Sequence, residues 1–190
     1  MKSIPQLPST RFFHVSSTLF PTGNRNSIAI VHGNESRTEL EYLCDDIFLH
    51  FGLGCRSVNK IYVPMGYNFA PLIAAAQKYS YLFEHHIYHS NFDYHKALLL
   101  LNNVNFIDGG FFAVKEDKLM YSPVSIINYE HYKDINDVIE YIGNNSENIQ
   151  CVVSGKELEG INTIGLGKAQ TPQLTDYADG IDTMEWLKGL

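Results

Sequence analysis

Apolar residues recur along this chain in two alternating rhythms. Leu40, Leu43, Cys44, Ile47, Phe48 and Phe51 follow one another in steps of three and one, so that every second residue of the set lies four further on. Such spacing keeps side chains on one face of an α-helix. Ser36 and Glu39 stand ahead of them as an S-x-x-E capping box, so a helix is predicted over residues 36–50. Residues 27–31 and 58–64 flank that helix with short apolar runs, the second closed by Pro64, and read as strands. After the turn signal Pro64-Met65-Gly66, Phe69, Leu72, Ile73 and Ala76 mark a second helix. Phe92, His95 and Leu99 share one face of another, roughly residues 91–102. Strands are predicted near 110–115 and 124–129, behind a turn-like stretch at 105–110. Ile135, Val138, Ile139 and Ile142 make a short amphipathic helix opened by Asp134, and residues 149–153 a buried strand. From Gly155 onward the chain is loop-rich and ends in a short helix near residues 182–187.

Strands separated by helices of this length predict right-handed crossovers. The expected fold is α/β, a three-layer sandwich with a mostly parallel sheet. With 190 residues, 45% of them hydrophobic, the chain can bury one substantial core. Residues 1–26 carry Pro5, Pro8, Pro21 and Gly23 and are expected to form an N-terminal arm, or the remnant of a preceding domain, that gains structure by docking. Residues 27–190 are then the cysteine-bearing domain. The formal charge of −7, without a run of Lys and Arg, argues against a nucleic-acid or anionic-membrane surface. Apolar runs such as residues 97–101 fall far short of the ~20 needed to cross a bilayer. The first residues lack the apolar stretch of a secretory signal, and three cysteines do not make a disulfide framework. Cytoplasm is the default expectation.

Chemistry enters with Cys55. Cys44 sits on the apolar helix stripe and Cys151 in an apolar strand, both packing positions, whereas Cys55 falls at the seam between helix and strand. Gly52 and Gly54 beside it supply conformations that larger residues resist, so the thiol can be presented on a bend. The bland reading, a small buried hydrophobe, stands beside the reactive one. The preceding helix would turn its negative pole toward the bend, which disfavours a thiolate, while Arg56 and the bend's own N–H groups can oppose that.

Several separated motifs, in order, are similar to a known family. The strand 26–31, the capped helix, and then Gly52-Leu53-Gly54-Cys55-Arg56-Ser57-Val58-Asn59-Lys60-Ile61-Tyr62-Val63 resemble the catalytic-cysteine region of the aldehyde dehydrogenase superfamily. Within it, the match resembles the acyl-CoA reductases of the bacterial luminescence type, the fatty acid reductases. Tyr121-Ser122-Pro123-Val124 looks like the superfamily's G-P-V strand start. Gly167-Lys168-Ala169-Gln170 and Asp176-Tyr177-Ala178-Asp179-Gly180 look like the reductases' C-terminal signature. The resemblance covers residues 24–187 and implies an aldehyde dehydrogenase-like catalytic domain. It also implies roles. Cys55 would be the nucleophile that takes the acyl group of a long-chain acyl-CoA as a thioester, a nearly balanced exchange. Hydride from NADPH would then release a fatty aldehyde. The Cys55 N–H is the first candidate for stabilising each oxyanion.

Some features limit that reading. No G-x-G-x-x-G follows a strand, and in the superfamily the cofactor domain lies mainly ahead of the region matched here. The resemblance therefore implies the catalytic half alone, with no cofactor-binding residues of its own and NADPH held by another domain. Where hydrolytic members carry a glutamate, Pro21-Thr22-Gly23 stands, which suits an enzyme that must not hydrolyse its thioester. The glutamate that holds the nicotinamide ribose in many members aligns near Leu119.

His85, His86, His89 and His95 fall within eleven residues. Their spacing lacks the glutamate of an H-E-x-x-H zinc site, so no metal is expected. His85 or His86 can instead supply a base for Cys55, as in a Cys–His thioesterase, and Arg56, His85 and His86 are kept as supporting candidates. His95, with Phe92 and Leu99, reads better as a core histidine. The family resemblance extends here too, through His85-His86 and Asn91-Phe92-Asp93-Tyr94. The other reading of the whole chain is a catalytically inactive fragment that acts as a protein-interaction module. A face left open by the missing domain would then bind a cofactor-binding partner or a second copy.

Overall fold

The computed structural model describes residues 25–174, 176 and 182–188. The expected arm over residues 1–26 therefore lies outside the described residues, save for its last two positions. The second of those, Asn26, already opens a strand.

The elements follow the apolar rhythm closely. Strand β1 spans Asn26–Ile30, helix α1 Arg37–Phe48, strand β2 Val58–Pro64 and helix α2 Ala70–Ala76. Helix α3 runs over His86–Leu101, longer than the predicted 91–102 by a turn at its start. Strands β3 (Phe106–Asp108), β4 (Ala113–Glu116) and β5 (Ile126–Tyr132) come next. Helix α4 (Ile135–Asn144), strands β6 (Ile149–Ser154) and β7 (Thr163–Ile164), and helix α5 (Thr183–Lys188) complete the order. The predicted caps hold. Ser36 Oγ accepts from the Glu39 N–H at 3.3 Å while Glu39 takes the Ser36 N–H at 2.7 Å, and the Asp134 carboxylate takes the Asn136 N–H at 3.0 Å.

The described strands form one sheet in the order β3-β4-β5-β2-β1-β6-β7, parallel at every pairing except the antiparallel β3–β4 edge. On one face, Ala29, Val31, Ile61, Val63, Val114, Ile127 and Val153 pack under α1, α2 and the 3-10 turns that lead to Tyr88. On the other, Ile28, Ile30, Tyr62 and Val152 pack under Val138 and Ile142 of α4. Further along that second face, Ala113 and Ile126 meet Phe92 and Leu99 of α3. The chain is thus α/β, a mostly parallel sheet with helices on both sides.

Two strands exceed the expectation. The turn-like stretch at 105–110 contains β3, which pairs with β4 as a hairpin. Its loop depends on Gly109, where an added Cβ would lie 2.3 Å from the Phe112 ring, and on Gly110 in the left-handed region at φ 93°. The short β7 lies in the loop-rich tail, where two residues are too few to show a rhythm.

Candidate active site

Helix α1 stops at Phe48 because the next residues leave helical geometry. Leu49 is already extended (φ −54°, ψ 143°), and His50 (φ 55°), Phe51 (φ 61°) and Gly52 (φ 69°) then occupy the left-handed region in succession. That conformation costs about 1–2 kcal/mol for each residue with a Cβ. The Phe51 ring offsets part of that cost by packing against His85 (centroids 4.7 Å apart) and Tyr88 (6.4 Å). The chain then reverses in a tight turn closed by the Ser57 N–H donating to Gly54 O at 2.9 Å. Cys55 and Arg56 are the two central residues of that turn.

Cys55 is exposed, while Cys44 and Cys151 are buried. The position read as a presented thiol is one. Burial pushes the Cys44 thiol up to about 12 and also raises that of Cys151, so neither is a nucleophile at neutral pH. The turn is tied down from three sides. Ser57 Oγ takes the Gly54 N–H at 3.2 Å and a bond from Gln170 Nε2 at 3.1 Å. Ser27 Oγ donates to Cys55 O at 3.0 Å. Among the described residues, none accepts a hydrogen bond from the Cys55 or Arg56 N–H.

Ser27 reaches Cys55 because β1 is irregular there. Its register against β2 and against β6 slips next to this residue, and the fully buried hydroxyl lies between both neighbours. Cys151 Sγ sits 2.9 Å from Ser27 Oγ. With the hydroxyl proton given to Cys55 O, the Cys151 S–H is the donor of that second bond. Cys151 is thus more than a packing residue.

The other candidates divide. Arg56 turns away from the thiol: Nε donates to Ala169 O, and Nη2 lies 3.6 Å from the Asp176 carboxylate, the side chain being 13% exposed. It anchors Ala169 and Asp176, which belong to the two signature stretches of the tail; residues 177–180 of the second stretch lie outside the described residues. His85 caps α3 with its backbone, stacks on Phe51 and is exposed; His86 is exposed as well. Neither is hydrogen-bonded to Cys55. His89 pairs with Asp93 at 3.2 Å and stacks on Phe83. His95 is half-buried, and burial lowers its pKa. Among the described residues, no group of three or more His, Cys, Asp or Glu side chains is placed to hold a metal ion.

One residue absent from the sequence reading matters here. Asp46, on α1, is fully buried and accepts the N–H groups of Gly167 (2.6 Å) and Ala169 (2.9 Å). It fixes the same turn that Arg56 holds. A carboxylate three residues after Leu43, inside an otherwise apolar stripe, was the available signal.

The fold also tests the nicotinamide cofactor that the family resemblance implies. In open α/β sheets a dinucleotide's pyrophosphate sits at the carboxyl end of a strand, on the N–H groups that open the next helix. After β1 the N–H groups of the loop leading into α1 are spent on carboxylates, and the Glu39 N–H of the first turn on Ser36 Oγ. Glu35 takes the N–H groups of His32 and Gly33 (2.5 and 2.9 Å), and Glu39 takes that of Ser36. Two acidic groups in the place of a pyrophosphate do not fit a dinucleotide there.

No family model matches the chain, and no curated protein matches its sequence. Among solved structures it is similar to one from Burkholderia cenocepacia, provisionally described as an aldehyde dehydrogenase, with a TM-score of 0.41 and 9% identity. The match covers 70% of this chain and 35% of that one, so the chain spans about a third of that neighbour's length. Among the described residues, no helix is long and apolar enough to cross a membrane.

Proposed function

We propose that this chain is the cysteine-bearing catalytic part of a long-chain acyl-CoA reductase, with Cys55 as acyl acceptor. The observation that carries the reading is the exposed Cys55 thiol on a turn whose two central N–H groups have no partner among the described residues. In this reading the Cys55 sulfur, as thiolate, attacks the carbonyl carbon of the acyl-CoA thioester and forms a new carbon–sulfur bond. The carbonyl oxygen becomes an oxyanion that the Cys55 and Arg56 N–H groups can receive. Collapse breaks the bond to CoA sulfur, and CoA leaves as a thiolate that takes up the proton lost by Cys55. The product is an acyl-Cys55 thioester. Reduction of that thioester to a fatty aldehyde would fall, in this reading, to a separate cofactor-binding domain. A cytoplasmic setting completes the proposal.

The test is mass spectrometry of the purified chain after incubation with a fatty acyl-CoA. One acyl adduct per chain, mapping to Cys55 and lost in Cys55→Ala, is expected; a parent that stays unmodified would reject the proposal. A thioesterase would instead turn over acyl-CoA without accumulating the adduct, and its base would have to be a histidine that the structure leaves unbonded to the thiol.

One feature favours the interaction-module reading. Ile87, Tyr94, Leu98 and Leu101 lie along a single stripe of α3 and are 66, 60, 37 and 77% exposed. Their spacing of seven, four and three is that of a helix-pairing seam, and its natural occupant is the same stripe of a second copy.

A further inference from the structure

A cavity of about 520 Å³ opens beside the Cys55 turn, at the amino ends of β1 and β6. That size is within the ~300–1,000 Å³ of small-molecule sites. Ile142, Ile149, Ile161 and Ile164 supply apolar wall, and Arg56, Gln150, Cys151 and Asn162 supply polar groups. Two routes join it to the thiol: Arg56 is the next residue in the chain, and Cys151 is linked through Ser27 to the Cys55 carbonyl.

The polar groups of this cavity are incompletely satisfied. Gln150 Oε1 is buried without a hydrogen-bond partner, and the buried Arg56 Nη2 makes no hydrogen bond either, its one partner among the described residues being the Asp176 carboxylate of the same cavity, at the ion-pair distance of 3.6 Å. A buried polar group left without a hydrogen bond costs ~1–3 kcal/mol, in full for Gln150 Oε1 and in part for Arg56 Nη2 with its distant carboxylate, and a bound ligand can remove that cost. One of them is a donor and the other an acceptor. A secondary amide presents the complement, a carbonyl oxygen for Arg56 and an N–H for Gln150. The surrounding isoleucines suit the short apolar links between successive amides.

We infer that this cavity binds the amide-bearing pantetheine arm of a thioester substrate, with Arg56 and Gln150 clamping one amide. The inference rests on the acyl-transfer reading for the identity of the ligand, but it concerns a different set of residues. Seating the arm there brings the thioester sulfur toward the turn that carries Cys55, so the cavity acts as a positioning site.

Isothermal titration of the full chain with S-methylpantetheine, which has the amides but no acyl group, tests this directly. Saturable binding is expected, weakened about tenfold by Gln150→Leu and kept by Gln150→Glu, which retains an acceptor oxygen. Should Gln150→Leu fail to fold, Ile161→Trp enlarges another lining side chain at the expense of the cavity and is expected to remove binding. No binding by the parent chain, or binding that these changes leave intact, overturns the inference. Acylation of Cys55 by acyl-CoA is read separately on the same proteins. Acylation without S-methylpantetheine binding rejects the cavity assignment alone, whereas mutation-sensitive binding without acylation supports the cavity and rejects Cys55 as acceptor.

Discussion

At the scale of single residues, Asp46 shows how a buried charge is used to place a site. Burial raises its pKa to about 6, against the pull of the Gly167 and Ala169 N–H groups that favour its ionised form. A group whose folded pKa lies above its unfolded value contributes stability that is complete below the unfolded pKa, about 4 for Asp, and is lost as pH rises through the folded pKa. The parent therefore loses about 2 kcal/mol of this contribution between pH 4 and pH 7, while Asp46→Asn has no such charge to develop. Urea unfolding of both proteins at the two pH values is expected to show the parent's advantage shrinking with rising pH; an advantage that grows would contradict the assignment. Because Ala169 O also receives Arg56 Nε, the same substitution is felt beside the thiol.

Among elements, the segment 117–125 between β4 and β5 is the least expected. The second face of the sheet carries Lys60 and Asn128 between the territories of α3 and α4, and Lys60 is fully buried. Its ammonium donates to Asp117 O and to Glu130 Oε2, the latter at 3.0 Å, while Asn128 Nδ2 donates to the carbonyls of Leu119 and Tyr121. A polar core patch thus ties an irregular segment over the gap that, among the described residues, α3 and α4 leave between them. Lys60→Met strands the Glu130 carboxylate and releases that segment. An expected loss of about 2–4 kcal/mol should be visible in urea unfolding, with faster hydrogen exchange at the Asp117 and Leu119 amides.

Much of this was legible in the apolar rhythm. The strand 58–64, the caps at Ser36 and Asp134, and the start of α4 stand where period and capping chemistry put them. What escaped lay in contacts between distant parts. Lys60 sits in a strand that reads as apolar and so gave no sign of its partner 70 positions on, Glu130. The exposure of Cys55 followed from flanking glycines, but its tether to Ser27 depends on a register slip that no local pattern announces. Arg56 was singled out by adjacency to the thiol, whereas the fold commits it to the tail and the cavity.

For the whole molecule, the open question is what meets the outer stripe of α3. If a second copy does, light scattering will find concentration-dependent dimers, and Leu101→Glu, at the most exposed point of the stripe, will return them to monomers with little change in thermal stability. A monomer at every concentration would remove support for the interaction-module reading.

Phe51 gives the two readings a common mechanical part. Its ring leans on His85 and Tyr88 at the start of α3, while its backbone begins the reversal that carries the sulfur. Under the acyl-transfer proposal, anything that grips α3 shares this anchor with the Cys55 turn, and whatever factor it changes in the equilibrium for acylating the thiol must come back as the same factor in its own affinity.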